Sequence, residues 1–321
     1  MNQAKIISIC NLKGGVGKTT STLNIGAGLN KLGKKVLLID LNPNANLSQI
    51  LDVINPKNSI IDLINNLNDI EPYEIFKGFH IIPTTIELSA SEIKLSSQPA
   101  REFYLKKIIN RIKDSYDYIL IDCHPSLGLL TINAFTASDQ VIIPFKAEYL
   151  SLTGLTVLTN GIKDIKKRFN PDLNVGGIFL TQFDYKKILS KEVLKILQEY
   201  FSNEMFDSKI RTSVELAAAP IFQKDIFRYK VKCDGAKDYL ALSNEILYKN
   251  ENETSRSEKV KDEIRVTNVI NKGIDIKIKA IAYLDRVSKK DIINEALENF
   301  ISEYENKNGN ILDLLLATKF N

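Results

Sequence analysis

The sequence predicts an α/β fold built around a doubly wound, mostly parallel β-sheet. Short apolar runs bounded by Gly, Pro, Asp or Asn alternate along the chain with longer stretches of helical spacing, such as 19–32 and 101–113. Continuous apolar strands of this kind are typical of parallel sheets that helices cover on both faces. Ligands of such sheets bind at the carboxyl ends of the strands, so we expect the chemistry there. The predicted strands are 5–10, 36–39, 119–121, 141–144 and 175–180.

The composition indicates a globular protein with more than one domain. A chain of 321 residues with 44% hydrophobic and 26% charged residues can form a sizeable core and corresponds to about two domains. The apolar runs are too short for a membrane-spanning helix, and the N-terminus lacks the pattern of a secretion signal. The three cysteines, Cys10, Cys123 and Cys233, are too widely spaced for a disulfide framework or a metal cluster. We therefore expect a cytoplasmic protein.

The chain is predicted to divide near residue 250. Apolar periodicity stops in KNENETSRSEKVK, which is interpreted as a solvated linker over 250–262. The charge balance also changes, since 251–321 holds 12 Lys and Arg against 13 Asp and Glu within a chain of net charge +4. The predicted parts are an α/β domain at 1–249, the linker, a small β-α-α domain at 263–308 and an apolar tail at 309–321.

A glycine-rich loop follows the first predicted strand and directly precedes a helix. Its glycines let backbone amides surround phosphate oxygens, and the helix N-terminus adds its dipole. Lys18 is expected to meet the β- and γ-phosphates, and Thr19 to offer its hydroxyl to Mg²⁺. The strict motif would need Gly at Leu12, and a second lysine, Lys13, opens this loop instead. The sheet is therefore predicted to be of the P-loop NTPase type. The cofactor-binding residues are Lys13, Gly14, Gly15, Val16, Gly17, Lys18, Thr19 and Thr20.

Residues 5–249 resemble the ParA/MinD family of deviant-Walker ATPases, and specifically the ParA branch that segregates plasmids and chromosomes. The resemblance implies an ATPase with ATP and Mg²⁺ as cofactors. It also implies a homodimer that sandwiches ATP, with Lys13 reaching into the partner's pocket. The segments that carry it are KGGVGKTT at 13–20, VLLIDLNPNANLS at 36–48, YDYILIDCHPSLGLLTINA at 116–134, VIIPFKAEYLSLTGL at 141–155 and IRTSVELAAAP at 210–220.

Two strand ends complete the site that this resemblance implies. Asp122 matches the Walker B carboxylate and is expected to hold Mg²⁺ with Thr19, partly through water. Asp40 opens the first switch motif, which usually reads Asp-x-Asp-Pro-Gln, but Asn42 replaces its second Asp here. An amide cannot take a proton, and loss of a general base costs about 10²–10⁴-fold in rate. We therefore predict that ATP binding survives and that hydrolysis is slow.

The chain contains two histidines. His124 replaces the small residue or Pro that is usual after the Walker B Asp-Cys pair. His80 lies in the apolar run GFHIIP. We expect a structural role for both.

The family resemblance also implies DNA binding without sequence preference, through basic residues near the dimer edge. Contacts to phosphates make such binding weaken steeply with salt. Glu215 stands where relatives carry a DNA-contacting Arg, and a merely solvated basic surface is the alternative. The candidates in this chain are Lys186, Lys187, Lys224 and Arg228.

The C-terminal segment resembles a ribbon-helix-helix domain, with a strand at 263–270 and helices at 273–285 and 289–305. Ser288 and Asp291 form a capping box for the second helix. In that fold a two-chain ribbon enters the major groove, so Arg265 and Thr267 would face the bases of a specific DNA site. A helical dimerisation appendage is the alternative.

The leading prediction is thus a partition ATPase in the nucleoid-associated cytoplasm, working with a centromere-binding partner protein. One alternative is an ATP-binding transcriptional regulator that reads DNA through its C-terminal domain. The other is a MinD-like positioning ATPase at a membrane. The tail ILDLLLATKF, 311–320, offers only Lys319 to a lipid surface, which disfavours membrane attachment.

Overall fold

The structure is a computed structural model that describes residues 4–66, 71–148, 151–202, 204–259, 274, 277–278, 281 and 288–308. The chain divides into two compact units, 1–256 and 257–321. The strands of the first unit are β1 (Lys5–Ile9), β2 (Val36–Leu41), β3 (Tyr73–Phe76), β4 (Phe79–Ile82), β5 (Tyr118–Cys123), β6 (Gln140–Lys146), β7 (Asn174–Phe183) and β8 (Met205–Arg211).

Helices connect these strands and three short 3₁₀ turns accompany them, at Arg101–Phe103, Lys113–Ser115 and Ala219–Phe222. The helices are α1 (Lys18–Lys31), α2 (Asn46–Ile50), α3 (Ile60–Asn66), α4 (Leu88–Ser96), α5 (Tyr104–Ile112), α6 (Leu129–Ala137), α7 (Ser151–Arg168), α8 (Ile188–Tyr200), α9 (Val214–Ala218), α10 (Ile226–Lys230) and α11 (Asp234–Lys259).

Within the described residues the strands form one eight-stranded sheet in the order β3-β4-β2-β5-β1-β6-β7-β8. All pairs are parallel except β3 with β4. The α/β class with a mostly parallel sheet is thereby confirmed, and each of the five predicted strands is present. The sequence patterns did not predict β3, β4 and β8. Strands β3 and β8 carry more polar and exposed positions, whereas β4 is a run of only four mostly buried residues.

Helices cover the sheet on both faces, because its central strands are apolar on both sides. One apolar cluster joins the sheet to α3 through α8, with Leu105, Phe135 and Leu158 fully or almost fully buried. The other joins it to α1 and α11, where Leu29 and Tyr239 are buried. Burial on both faces fixes the central strands and therefore the positions of the loops that leave them.

The register of the parallel strands sets polar strand ends side by side. Asp40 on β2 is directly opposite Asp122 on β5, and Asp122 is in turn opposite Ile9, near the end of β1. The glycine-rich loop leaves β1 at the same edge, because the carboxyl ends of parallel strands share one edge of a sheet. The predicted catalytic residues are thus neighbours although they lie far apart in sequence.

The linker predicted at 250–262 is wrong as far as Lys259, because α11 runs without a break from Asp234 to Lys259. Its charged and polar residues lack an apolar stripe, but they include neither Gly nor Pro. A helix that is anchored by buried residues can therefore continue through them. Residues 260–262 lie outside the described residues.

The described part of the second unit is mainly the helix Lys289–Asn308. The predicted capping box is confirmed, since the Asp291 amide donates to Ser288 Oγ at 3.2 Å and the Ser288 amide donates to Asp291 Oδ2 at 3.2 Å. The predicted strand 263–270 lies outside the described residues, and so do the apolar tail and nearly all of the helix predicted at 273–285. Among the described helices, none has the length and apolar character needed to cross a membrane.

Candidate functional site

The glycine-rich loop bends tightly between β1 and α1. Gly15 has φ 71° and Gly17 has φ 87°, and these left-handed values favour glycine over residues with a Cβ. Gly14 and Gly15 are exposed at the crest of the loop, whereas Val16 is buried beneath it. The loop is therefore held open to solvent on the side where backbone amides can receive an anion.

Asn11, which follows β1, and two side chains of β7 anchor this loop, and sequence reasoning missed them. Asn11 donates from Nδ2 to the Pro144 carbonyl at 2.8 Å and accepts the Lys13 amide at 3.0 Å. Thr181 donates to the Val16 carbonyl at 2.9 Å. Gln182, itself at φ 49°, donates to the Gly15 carbonyl at 2.9 Å. Thr181 and Gln182 thus bind two loop carbonyls, and Asn11 fixes the Lys13 amide at the start of the loop.

Lys18 is the buried cation of the loop. Its side chain lies at the first residue of α1, is 7% exposed and donates from Nζ to the Lys13 carbonyl at 3.0 Å. Burial lowers the pKa of Lys18, and nearby Asp122 opposes that effect. A buried ammonium with one backbone partner is well suited to meet phosphate oxygens.

Lys13 is tied to its own chain on the opposite side of the loop. Its Nζ pairs with Glu148 and donates to Ser151 Oγ at 3.2 Å. Glu148 also pairs with Lys146 at 2.6 Å. Hydrogen bonds from Lys13 and then Lys146 lower the pKa of Glu148 to about 2. The side chain of Lys13 is 36% exposed, so it stands at the mouth of the loop and not in its interior.

Thr19 and Asp122, the predicted magnesium ligands, are in direct contact. Thr19 Oγ1 donates to Asp122 Oδ2 at 2.6 Å, and Thr22 Oγ1 lies 3.4 Å from Asp122 Oδ1. Burial raises the pKa of Asp122 to about 7, with the charge of Asp40 adding to it. A hydroxyl and a carboxylate at the end of a phosphate loop fit Mg²⁺, which takes oxygen ligands from one or two side chains and completes its shell with phosphate and water.

Asp40 is a fully buried organiser of the first switch segment. It accepts hydrogen bonds from Ser48 Oγ at 2.7 Å, from the Ser48 amide at 2.9 Å and from the Asn42 amide at 3.2 Å. Burial raises its pKa to about 6, and the hydrogen bonds from Ser48 oppose that rise. Asp40 therefore fixes the backbone of the segment that carries Asn42.

Asn42 itself is 4% exposed. Its Oδ1 accepts the Asn44 amide at 3.2 Å, and its carbonyl accepts the Ala45 amide at 2.8 Å. The side chain thus closes a turn in the segment between β2 and α2. A carboxylate could accept the same hydrogen bond, so nothing in the local geometry requires an amide at this position.

The two histidines occupy different settings. His80 lies on β4 and is 16% exposed in its side chain, with Nδ1 buried and without a hydrogen-bond partner. His124 is half-buried in the loop after β5, and its Nδ1 lies 3.0 Å from Ser126 Oγ. Only His124 is therefore at the edge of the sheet that carries the phosphate loop.

The predicted DNA-binding residues differ in how free their side chains are. Lys186 and Lys187 are exposed in the turn between β7 and α8, and Lys224 is exposed before α10. Arg228 pairs with Asp225 and stacks over a ring, with its guanidinium carbon 4.5 Å from the ring centroid of Phe76. Its role is therefore at least partly structural.

Glu215 accepts a hydrogen bond from Lys230 Nζ at 2.9 Å. That bond lowers the pKa of Glu215 to about 2. The carboxylate and the ammonium thus neutralise each other at this surface. Arg265 and Thr267 lie outside the described residues.

The chain is similar to a known protein family and to characterised relatives. Residues 4–175 match the family model AAA_31, described as an AAA domain. The chain is 40% identical over 246 residues to the chromosome-partitioning ATPase Soj of Treponema pallidum, covering 76% of this chain and 97% of that one. It is 38% identical over 249 residues to the chromosome partitioning protein ParA of Myxococcus xanthus, covering 76% and 88%.

Solved structures share the fold. A putative plasmid partition protein of Borrelia burgdorferi bound to AMPPNP superposes with a TM-score of 0.65 at 26% identity, covering 78% of this chain and 100% of that chain. Cobyrinic acid a,c-diamide synthase of Mycobacterium smegmatis with bound ADP and magnesium gives a TM-score of 0.68 at 28% identity, covering 78% and 96%. The resemblance found in the motifs therefore extends over the whole first unit.

Proposed function

The chain belongs to the Soj/ParA family of partition ATPases, and from this premise we propose that it is a nucleotide-switched dimer that moves DNA. In this proposal it binds ATP with Mg²⁺ at the glycine-rich loop, dimerises around the nucleotide and then binds DNA. It acts in the cytoplasm at the nucleoid. The observation that carries the proposal is the 2.6 Å contact between Thr19 and Asp122 at the end of a phosphate loop.

The nucleotide step uses groups that are already assembled. Loop amides and Lys18 would hold the phosphates, while Thr19 and Asp122 would hold the magnesium ion. When bound, Mg²⁺ neutralises charge on the phosphate oxygens and orients them for transfer. Asp122 has a raised pKa without the ion, so a cation beside it would favour its ionised form.

The dimer step would use Lys13. The family resemblance implies that this lysine reaches the nucleotide of a partner copy, and its half-exposed position at the loop mouth supports that role. Within one chain its ammonium is held by Glu148. Dimerisation would exchange this pair for a contact with phosphate oxygens, which carry more charge than one carboxylate.

The hydrolysis step is proposed to be slow because of Asn42. Its amide oxygen already accepts the Asn44 amide and cannot take a proton from water. The protein would then remain in its ATP-bound state for longer than relatives that carry Asp there. A long-lived ATP state prolongs the time during which the dimer can stay on DNA.

The DNA step is assigned to Lys186 and Lys187, with Lys224 as a further contact. All three are exposed, and within the described part of the chain none donates a hydrogen bond or forms an ion pair through its ammonium. Arg228 is a weaker candidate because Asp225 and Phe76 hold it. Contacts of this kind bind phosphates without reading bases.

The C-terminal unit is proposed to bind a specific DNA site as a ribbon-helix-helix domain. The capping box at Ser288 and Asp291 supports it, because the box gives the second predicted helix the start that this interpretation requires. An operator-binding regulator remains the second candidate function on the same observation. If the chain is a partition ATPase, a centromere-binding partner protein would complete the partition machinery.

One experiment separates these steps. DNA binding by the full chain is measured with Mg-ATP, with Mg-ADP and without nucleotide, on random-sequence DNA. We expect binding that requires ATP, is lost in Lys18→Ala and Lys13→Ala, and falls in the double variant Lys186→Ala and Lys187→Ala. Two lost phosphate contacts should also reduce the slope of log affinity against log salt by about 1.8. DNA binding that ignores nucleotide would contradict the switch and favour the regulator.

A further inference from the structure

His124 stands at the phosphate edge of the site with no role so far. It follows Asp122 by two residues, so its Cα lies within about 7 Å of the Asp122 Cα. Asp122 in turn contacts Thr19 at the end of the phosphate loop. A phosphate that shares a magnesium ion with these two residues would lie at the same edge of the sheet as position 124, which directly follows β5.

The loop fixes the orientation of the imidazole. Its Nδ1 lies 3.0 Å from Ser126 Oγ, and the Ser126 amide donates to the His124 carbonyl at 2.9 Å. Ser126 Oγ also accepts the Gly128 amide at 3.4 Å. The hydroxyl proton of Ser126 can be donated to Nδ1, and in that tautomer the ring hydrogen lies on Nε2.

Nε2 is the remaining polar atom of the ring. No hydrogen-bond partner of Nε2 lies within the described part of the chain, and the residue is half-buried, not sealed in the core. In the tautomer with Nε2 protonated, the imidazole presents an oriented N–H group at the edge of the sheet where phosphates are expected. Hydrogen bonds from such groups to charged oxygens are stronger than those between neutral groups.

We propose that His124 donates a hydrogen bond from Nε2 to the terminal phosphate of bound ATP and thereby makes this chain distinguish ATP from ADP. The inference rests on the proposed function, since it requires ATP at the glycine-rich loop. It assigns a ligand contact to a side chain that the other steps of the proposed function do not use. Ser126 is a positioning residue that acts through the ring.

The proposed hydrogen bond from His124 is consistent with Asn42, an amide, at the position where an acid would act as the base. Without a base to speed hydrolysis, the fate of the bound nucleotide depends more on how well the protein holds ATP relative to ADP. A donor that only ATP can reach raises that ratio. It does so without requiring any change in the groups that hold the other phosphates.

The test is equilibrium binding of the full chain to Mg-AMPPNP and Mg-ADP. We expect His124→Ala to weaken AMPPNP binding about 10-fold, which corresponds to about 1.4 kcal/mol, and to leave ADP binding unchanged. His124→Gln places an amide N–H near the position of Nε2 and should retain most of the preference. His124→Asn is equally polar but shorter, and should lose it. Ser126→Ala should reduce the preference partly.

His80→Gln is the matched control, since it changes the other histidine of the chain on the distant strand β4. Thermal melting establishes that each variant is folded, and the Gln and Asn pair keeps the test valid if Ala disrupts the loop. Parallel losses for AMPPNP and ADP, or equal preferences in the Gln and Asn variants, would overturn the inference alone. If the unmodified chain binds neither nucleotide, the proposed function fails and this inference with it.

Discussion

Replacing Asn42 by Asp should make ATP hydrolysis by this chain faster. The change substitutes one oxygen for an amide NH₂ group and adds a negative charge to a side chain that is 4% exposed. The acceptor of the Asn44 amide, 3.2 Å away, is retained, because a carboxylate oxygen occupies the same place. The turn after β2 should therefore keep its shape, and any change in rate reports on chemistry.

The magnitude follows from the role of the lost group. A positioned base contributes about 10²–10⁴-fold to a proton-transfer step. Phosphoryl transfer depends mainly on positioning and charge stabilisation, so we take the lower end. Turnover of Asn42→Asp should exceed that of the unmodified chain about 10²-fold, or about 2.7 kcal/mol in activation free energy.

The same substitution should cost stability in the nucleotide-free protein. Burial raises the pKa of Asp40 to about 6 and that of Asp122 to about 7, above the value of about 3.9 for an unfolded Asp. The folded state therefore binds these protons more tightly than the unfolded chain. The contribution of the pair to stability is complete below about pH 4 and is lost as the pH rises through 6 and 7. A third carboxyl nearby adds to the repulsion, so Asn42→Asp should lose more stability at pH 8 than at pH 5.

The assay is steady-state phosphate release with saturating Mg-ATP, accompanied by thermal melts at pH 5 and pH 8 without Mg²⁺. The control is Asn44→Asp, which adds the same charge two residues away on an exposed side chain and should change neither turnover nor the pH dependence of melting. Equal turnover of the unmodified chain and Asn42→Asp would refute the reasoning. A similar gain in Asn44→Asp would show that charge in the segment, not its position, is responsible.

Two further predictions concern packing and the loop lysine. A Cβ at Gly28 would lie 2.2 Å from Ser243 Oγ and 2.9 Å from Ser243 Cβ, so Gly28→Ala should reduce the free energy of unfolding by about 1–3 kcal/mol. Adding Ser243→Gly should recover part of this loss in a denaturant titration, and no recovery would mean that the strain arises elsewhere. Glu148→Gln weakens the hold on Lys13 and should promote dimer formation at lower AMPPNP concentration in light scattering. Glu192→Gln, an exposed ion-pair variant on α8, should not, and an equal effect of both would contradict the mechanism.

The central fold and the core of the site could be predicted from the sequence because their signals are local. The strands β1, β2 and β5 are apolar runs that end at polar residues, and the glycine-rich loop has a fixed spacing of residue types. Thr19 and Asp122 lie 103 positions apart, yet each belongs to such a pattern, and the structure brings them to 2.6 Å. The edge strand β8 (MFDSKIR) lacks this signal, because only two of its residues are buried and polar residues interrupt its apolar ones.

The anchors of the loop could not be predicted in the same way. Asn11, Thr181 and Gln182 are single polar residues without a characteristic spacing, and they act because β6 and β7 follow β1 in the sheet order. Strand order depends on how all the helices pack, which no local pattern encodes. The error at the linker has the opposite origin, because 250–259 lack an apolar stripe but are carried by a helix that is anchored further back.

Lys13 connects the two proposed steps through two different atoms. Its carbonyl accepts the Lys18 ammonium at 3.0 Å, and its own ammonium is held by Glu148. When phosphate draws Lys18 away, the Lys13 carbonyl loses a buried donor, and the segment that carries its side chain loses one of its restraints. We therefore expect nucleotide binding to precede and promote the release of Lys13 towards a partner copy. Nucleotide binding is expected to come before dimerisation, because Lys13 contacts Lys18 inside the loop through its carbonyl and Glu148 at the loop mouth through its ammonium.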